Sequence, residues 1–168
     1  CGGYIAGNGA LVEILKGHAG GFVYSVGLAP PLAAAAIGSL AVLRQEPQRV
    51  RQIYRNGQLF LDTAKNRGLD TGTSAGFSVV PVIVGDSLRA VELSNRLFEA
   101  GINALPIIHP AVPERFARIR FFLTAEHTEE QICRAVETTA QLLEELVAQN
   151  ISAASLNLDE LQRIVANR

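Results

Sequence analysis

The first third of the chain carries apolar residues at helical spacing. They predict a short helix over residues 10–19, which Gly20 and Gly21 should end. A second predicted helix, over 32–45, is rich in alanine and apolar on nearly all sides, which indicates deep burial. A third, over about 48–67, is amphipathic. This part of the chain is therefore expected to be helical.

From residue 76 onward, β-branched apolar runs alternate with amphipathic segments. We expect strands over 77–84, 102–108 and 116–123, a helix over 88–100, and a long helix that begins with a capping box at residues 128–131. The order β-α-β-β-α is typical of a small α+β module, with a mainly antiparallel sheet and helices on one face. The whole chain is accordingly assigned to the α/β class.

This change of pattern divides the chain into three parts. Residues 1–68 are the helical part, and residues 69–146 form the α+β domain. Residues 147–168 are expected to be a tail, either a linker or one further weak helix over 158–165.

Charge and composition narrow the function classes. Among 168 residues, 15 Lys and Arg stand against 16 Asp and Glu, so no global charge is available to hold nucleic acid or an anionic membrane. The longest apolar stretch, around 28–43, is interrupted by prolines and polar residues and indicates a buried helix rather than a membrane span. Cys1 and Cys133 are too few for a disulfide framework or a metal cluster. We therefore expect a cytoplasmic protein with no metal site.

Arg118 and Arg120 stand out inside an apolar predicted strand. Because side chains alternate along a strand, both arginines should point to one face. An unpaired buried charge costs several kcal/mol, so each guanidinium should have a partner. That partner is either Glu114 or Glu126 in a salt bridge, or an anionic ligand.

Ser25 lies in a run of small and apolar residues just before Pro30 and Pro31, which suit the first turn of a helix. Hydroxyl and backbone N–H groups are good phosphate ligands, and small neighbours let an anion come close. Taken alone, a serine in such a turn is more often structural. The pattern leaves both interpretations open.

Three segments resemble the α-oxoamine synthases, which are fold-type-I pyridoxal 5′-phosphate (PLP) enzymes. They are residues 1–7 (Cys-Gly-Gly-Tyr-Ile-Ala-Gly), 22–31 around Ser25, and 116–124 around Arg120. The resemblance extends in order over roughly residues 2–146. In that family a Ser-Lys pair precedes a Gly-Gly-aromatic-x-Ala-Gly strand, so a strand is expected over 2–7. The resemblance also implies that 1–68 is the end of the large PLP domain, and that 69–146 is the small C-terminal domain.

The resemblance implies roles for two residues. Ser25 matches the first member of the family's Ser/Thr-Thr pair, which reaches the cofactor phosphate of the other subunit, so it is the cofactor-binding candidate and a homodimer is implied. Val26 stands at the threonine position and supplies no hydroxyl. Arg120 matches the arginine that binds the amino-acid carboxylate, a task that suits a planar guanidinium, and is the substrate-binding candidate. For Arg118 a salt bridge is expected instead.

The implied reaction condenses an amino acid with an acyl-CoA or acyl-carrier-protein thioester and releases CO2, giving an α-amino ketone. The family's Schiff-base lysine would lie upstream of Cys1, and neither Lys16 nor Lys65 stands in a matching context. We therefore expect no catalytic residue in this chain, and no activity from it alone. Two alternatives stay open: a fold-type-I aminotransferase, or a non-catalytic split subunit or regulatory module.

Overall fold

The computed structural model describes residues 3–155, which fall into an N-terminal unit up to Pro47 and a C-terminal unit from Gln48. The N-terminal unit contains helices α1 (Gly9–His18), α2 (Gly20–Val23) and α3 (Pro30–Gln45). Helix α1 begins after Asn8, whose side chain accepts a hydrogen bond from the Ala10 N–H at 2.9 Å. None of the three helices contains a buried residue.

Two local predictions for this unit are wrong. Residues 3–7 are not a strand, because a strand needs a neighbour to pair with and the described part of the chain places all its strands in the other unit. Gly20 and Gly21 do not end a helix. The extended backbone of Ala19 (φ −75°, ψ 106°) interrupts the helix after His18, and Gly20 then begins α2.

Helix α3 forms as predicted but is not deeply buried in this chain. It begins at Pro30, two residues earlier than expected, because proline suits the first helical turn. Its apolar side chains remain accessible, with Ile37 exposed by 69% and Leu40 by 51%. The all-round apolarity therefore marks a surface that the described residues leave uncovered.

The C-terminal unit follows the predicted order closely. Its elements are α4 (Gln48–Asn66), β1 (Val79–Ile83), α5 (Ser87–Glu99), β2 (Leu105–Ile107), β3 (Arg118–Phe122) and α6 (Glu129–Ala148). The strands form one antiparallel sheet in the order β1-β3-β2. The capping box that opens α6 is present, since the Thr128 and Gln131 side chains bind each other's backbone N–H groups. The predicted antiparallel α+β module is confirmed.

The core lies between one face of this sheet and the three helices. Ile119 and Phe121 of β3 point into it, where Phe60 of α4, Leu93 of α5 and Val136 of α6 are fully buried. The Phe60 and Phe121 rings lie 4.8 Å apart between centroids. Within residues 48–155, no helix covers the opposite face, which is called the open face of the sheet.

Helix α4 belongs to this unit through its packing, although it precedes residue 69. The domain boundaries at 68 and 146 remain predictions for the whole protein. After α6 the chain forms a short 3₁₀ turn at Ala153–Ser155. The helix predicted over 158–165 lies outside the described residues.

Candidate substrate- and cofactor-binding residues

Arg120 lies on the open face of the central strand β3. Strand alternation sends Ile119 and Phe121 into the core, and Arg118 and Arg120 to the other side, as predicted. Directly opposite Arg120 in the register are Pro81 of β1 and Leu105 of β2. The guanidinium therefore stands in the middle of a small sheet, between two apolar neighbours.

The salt bridges considered for the two arginines are not formed. The Glu114 carboxylate accepts hydrogen bonds from the Ser87 N–H (2.5 Å) and hydroxyl (2.6 Å), and Glu126 pairs with Arg49 at 2.6 Å. The Arg118 Nε–H donates to the Phe116 carbonyl at 2.8 Å. The expected salt bridge of Arg118 is thus wrong, because both carboxylates are engaged elsewhere.

Arg120 makes no ion pair or hydrogen bond through its guanidinium within residues 3–155. Its guanidinium lies over the ring of Phe122, whose centroid is 5.5 Å from Cζ. Arg120 is also exposed, so the burial cost inferred from its apolar neighbours does not apply in this chain. The fork of N–H donors is free to bind a carboxylate.

Ser25 lies in an exposed turn between α2 and α3. Its hydroxyl donates to the Phe22 carbonyl (3.2 Å) and accepts from the Gly27 N–H (3.4 Å), and Gly27 has φ +81°, which favours glycine. The neighbouring Val26 is fully exposed. The local turn, rather than a distant contact, thus holds Ser25 in place.

The donors at this turn fit a phosphate, although not through the end of the following helix. Pro30 and Pro31 have no N–H, so the first turn of α3 offers fewer free donors than most helices. The N–H groups of Val26 and Leu28 have no backbone acceptor in the described part of the chain. These two N–H groups are donors suited to an anion, and the Ser25 hydroxyl joins them only when it releases the Phe22 carbonyl.

The remaining candidate groups are placed away from these positions. Lys16 is ion-paired with Glu13 at 2.7 Å on α1, and Lys65 is exposed on α4. Over residues 3–155, no group of three or more His, Cys, Asp or Glu side chains is placed to hold a metal ion. No helix in the same range is both long and apolar enough to cross a membrane.

Two features of the site region were missed by sequence reasoning. The Arg120–Phe122 contact could have been found, because residues two apart on a strand share a face. The role of the buried Asn56 could not have been found from the sequence. Its amide donates to the carbonyls of Thr124 (2.8 Å) and His127 (3.0 Å) and so holds the turn after β3.

Comparison with known proteins identifies the family. The family model for aminotransferase class I and II matches residues 1–138. The chain belongs to this family. Among curated relatives, 8-amino-7-oxononanoate synthase of Symbiobacterium thermophilum is 39% identical over 145 residues, and that of Thermoanaerobacter pseudethanolicus is 37% identical over 136. These alignments cover 86% and 81% of this chain but only 37% and 34% of the relatives. The chain thus spans about a third of the length of these family members.

Solved structures support the aminotransferase-family fold. An 8-amino-7-oxononanoate synthase from Francisella tularensis superposes with a TM-score of 0.65 at 22% identity, covering 82% of this chain and 40% of that one. A serine palmitoyltransferase from Sphingomonas wittichii superposes with a TM-score of 0.68 at 23% identity, covering 84% and 36%. The predicted α/β fold and the resemblance to the α-oxoamine synthases are confirmed.

Proposed function

We propose that this chain is the C-terminal portion of a PLP-dependent α-oxoamine synthase. The full protein would condense an amino acid with an acyl thioester, release CO2 and form an α-amino ketone. Support comes from the relatives, which are named 8-amino-7-oxononanoate synthase, and from a serine palmitoyltransferase of the same fold that was solved with PLP. The observation that carries the proposal is the Arg120 guanidinium, which is unpaired within residues 3–155 and lies on the open sheet face. It belongs to the segment around Arg118-Ile119-Arg120 that resembles the α-oxoamine synthases.

In this proposal Arg120 binds the amino-acid carboxylate. A guanidinium fork and a carboxylate form two parallel charge-assisted hydrogen bonds, which fix the orientation of the amino acid as well as its position. That orientation decides which bond at Cα is ready to break. Arg118 is not given this role, because the family's carboxylate-binding arginine matches Arg120 and because the bond to the Phe116 carbonyl leaves Arg118 only its Nη groups.

Ser25 and the N–H groups beside it would hold the cofactor phosphate of the other subunit in a homodimer. Bound PLP supplies an electron sink for a carbanion at the amino-acid Cα. Residues 1–68 would complete the large domain and residues 69–146 the small one. The acyl donor would be a CoA or carrier-protein thioester, and the setting cytoplasmic. The chain by itself would be inactive, since the Schiff-base lysine would lie upstream.

The test uses the full-length protein with an amino acid and an acyl-CoA, and measures release of free thiol and of CO2. An α-oxoamine synthase releases both, whereas an aminotransferase of the same family releases neither. Arg120→Lys keeps the charge but loses the fork. We expect it to raise the KM for the amino acid about 10- to 100-fold, in line with about 1.5–3 kcal/mol for a charge-assisted hydrogen bond.

The matched control is Arg118→Lys, two residues away on the same sheet face. It should leave the amino-acid KM within about 2-fold, because the family's carboxylate-binding arginine matches Arg120, and the Nε–H of Arg118 is bound to the Phe116 carbonyl. In both variants the KM for acyl-CoA should stay unchanged. If the two substitutions raise the amino-acid KM equally, the assignment of carboxylate binding to Arg120 is wrong.

A further inference from the structure

The Arg120 guanidinium lies over an aromatic ring of its own strand. Its Cζ is 5.5 Å from the centroid of Phe122, and both side chains project from the open face of β3. Phe122 is exposed by 58%, so its ring is not held in the core. Leu105 and Pro81 stand on either side of Arg120 in the sheet.

This arrangement restricts the conformations that the Arg120 side chain can adopt. An arginine has large rotamer freedom, and part of that freedom is lost when it binds a ligand. A cation is attracted to the face of an aromatic ring, and flanking apolar side chains take up the space beside it. An arginine held in this way loses less freedom on binding than one that is free in solvent.

We propose that Phe122 is a positioning residue that orients the Arg120 guanidinium for carboxylate binding. The inference rests on the proposed function, in which Arg120 is the carboxylate ligand. Phe122 acts through Arg120 and need not touch the reacting atoms. Its side chain is poorly explained by packing, since the core of the unit lies on the other side of the sheet.

The structure contains a matched contact that serves as a control. Arg115 lies over the ring of Phe116, with its Cζ 4.9 Å from the centroid. Both residues belong to the short 3₁₀ turn Glu114–Phe116 that precedes β3, and Phe116 is also exposed. Phe116→Leu therefore removes an exposed ring under an arginine without altering the open sheet face.

The first experiment measures steady-state kinetics of the full-length protein carrying Phe122→Leu, Phe122→Tyr or Phe116→Leu. Phe122→Leu should raise the amino-acid KM about 2- to 5-fold, equivalent to about 0.5–1 kcal/mol for an exposed cation–π contact, with kcat and the acyl-CoA KM unchanged. Phe122→Tyr should retain the wild-type KM, because it keeps the ring. Phe116→Leu should change none of these constants.

The second experiment follows the Arg120 Nε–Hε resonance by NMR in the 168-residue chain. The nearby ring should shift this proton upfield, and the shift should vanish in Phe122→Leu and persist in Phe122→Tyr. An unchanged resonance, or an amino-acid KM that Phe122→Leu leaves unaltered, overturns the positioning role. If Arg120→Lys itself leaves the amino-acid KM unaltered, the carboxylate assignment fails, and the role of Phe122 fails with it even where the ring shift is present.

Discussion

At Gly57, helix α4 lies directly against the backbone that leads into β1. A Cβ atom placed on Gly57 would be 2.2 Å from the carbonyl oxygen of Gly76 and 2.3 Å from that of Phe77. Both atoms belong to the main chain, so neither can move aside as a flexible side chain would. Only glycine allows α4 to pack at this distance.

Gly57→Ala should therefore destabilise the C-terminal unit by at least about 2 kcal/mol, in spite of the better helix propensity of alanine, which is worth about 1 kcal/mol. The measurement is the free energy of unfolding of the whole chain in urea. The control is Gln58→Ala, next to it and exposed on the same helix, which should change stability by less than about 0.5 kcal/mol. A neutral or stabilising Gly57→Ala would contradict the close approach.

Asn56, the preceding residue, illustrates what the sequence does not reveal. Its amide nitrogen binds two carbonyls that lie 68 and 71 residues further along the chain. Its amide oxygen accepts from the Gln52 side chain at 2.9 Å. On a helical wheel Asn56 is a polar residue among apolar ones, and no local sequence pattern predicts its distant hydrogen-bond acceptors.

At the scale of elements, Pro81 and Pro106 protect the two outer strands. The hydrogen bonds from the Val84 N–H to Ala117 and from the Leu123 N–H to Ser78 fix which residues of β1 and β3 face each other. By alternation, the backbone of Pro81 in β1 and that of Pro106 in β2 point away from β3. Each edge thus lacks a donor where a further strand would pair, which disfavours extension of the sheet.

The Asp86 carboxylate joins α5 to the end of the described chain. One oxygen caps α5 by accepting from the Arg89 N–H (2.9 Å), and the other accepts from the Ser152 hydroxyl (2.7 Å) and the Ala153 N–H (2.8 Å). Burial, the largest single influence, raises the pKa of Asp86. The hydrogen bonds from Arg89, Ser152 and Ala153 outweigh it, so the pKa lies below its ordinary value of 3.8.

Asp86→Asn should destabilise the chain at pH 7 by about 1–3 kcal/mol, because an amide has only one oxygen and leaves one set of donors unpaired. Since the folded-state pKa is depressed, the stabilisation by Asp86 is present above the unfolded pKa of 3.8 and is lost as pH falls through the folded value. Urea unfolding from pH 7 to pH 3 should therefore show wild type and Asp86→Asn converging below about pH 4.

The comparison for this experiment is Asp62→Asn, at an exposed carboxylate on α4 that accepts a hydrogen bond from the Gln58 side chain. Its stability should stay within about 0.5 kcal/mol of wild type throughout the range. A gap between wild type and Asp86→Asn that does not change with pH would show that the Asp86 charge is not the source of the effect.

Local signals explain which elements were predictable. The capping box at Thr128 was predicted because its two partners lie within three residues of each other. The face of Arg120 was predicted because strand alternation needs only the neighbouring residues. Tertiary contacts determine the strand order β1-β3-β2 and the hydrogen bonds from Ser152 and Ala153 to Asp86, which lie 66 and 67 residues apart in the chain. A short stretch of sequence does not contain such contacts. The ligand of Arg120 stays a prediction.

At the scale of the whole molecule, the two units differ in how they are stabilised. The C-terminal unit has a continuous core of buried apolar side chains, to which three helices and the strands β1 and β3 contribute. The N-terminal unit has no buried apolar residue in its described part, and large side chains such as Phe22, Ile37 and Leu40 are exposed. In the proposed homodimer these exposed apolar side chains would be covered.

This contrast predicts how amide hydrogen exchange will vary along the isolated 168-residue chain. Helices without tertiary packing are marginally stable, whereas amides in a packed core exchange only through larger unfolding. At micromolar concentration α3 should therefore exchange at least about a hundredfold faster than α6, and Gly57→Ala should accelerate exchange in α6 but leave α3 unchanged. Equal protection of α3 and α6 at that concentration would contradict the assignment of two separately stabilised units. If a second copy covers the N-terminal unit, protection of α3 should increase with protein concentration while that of α6 stays constant.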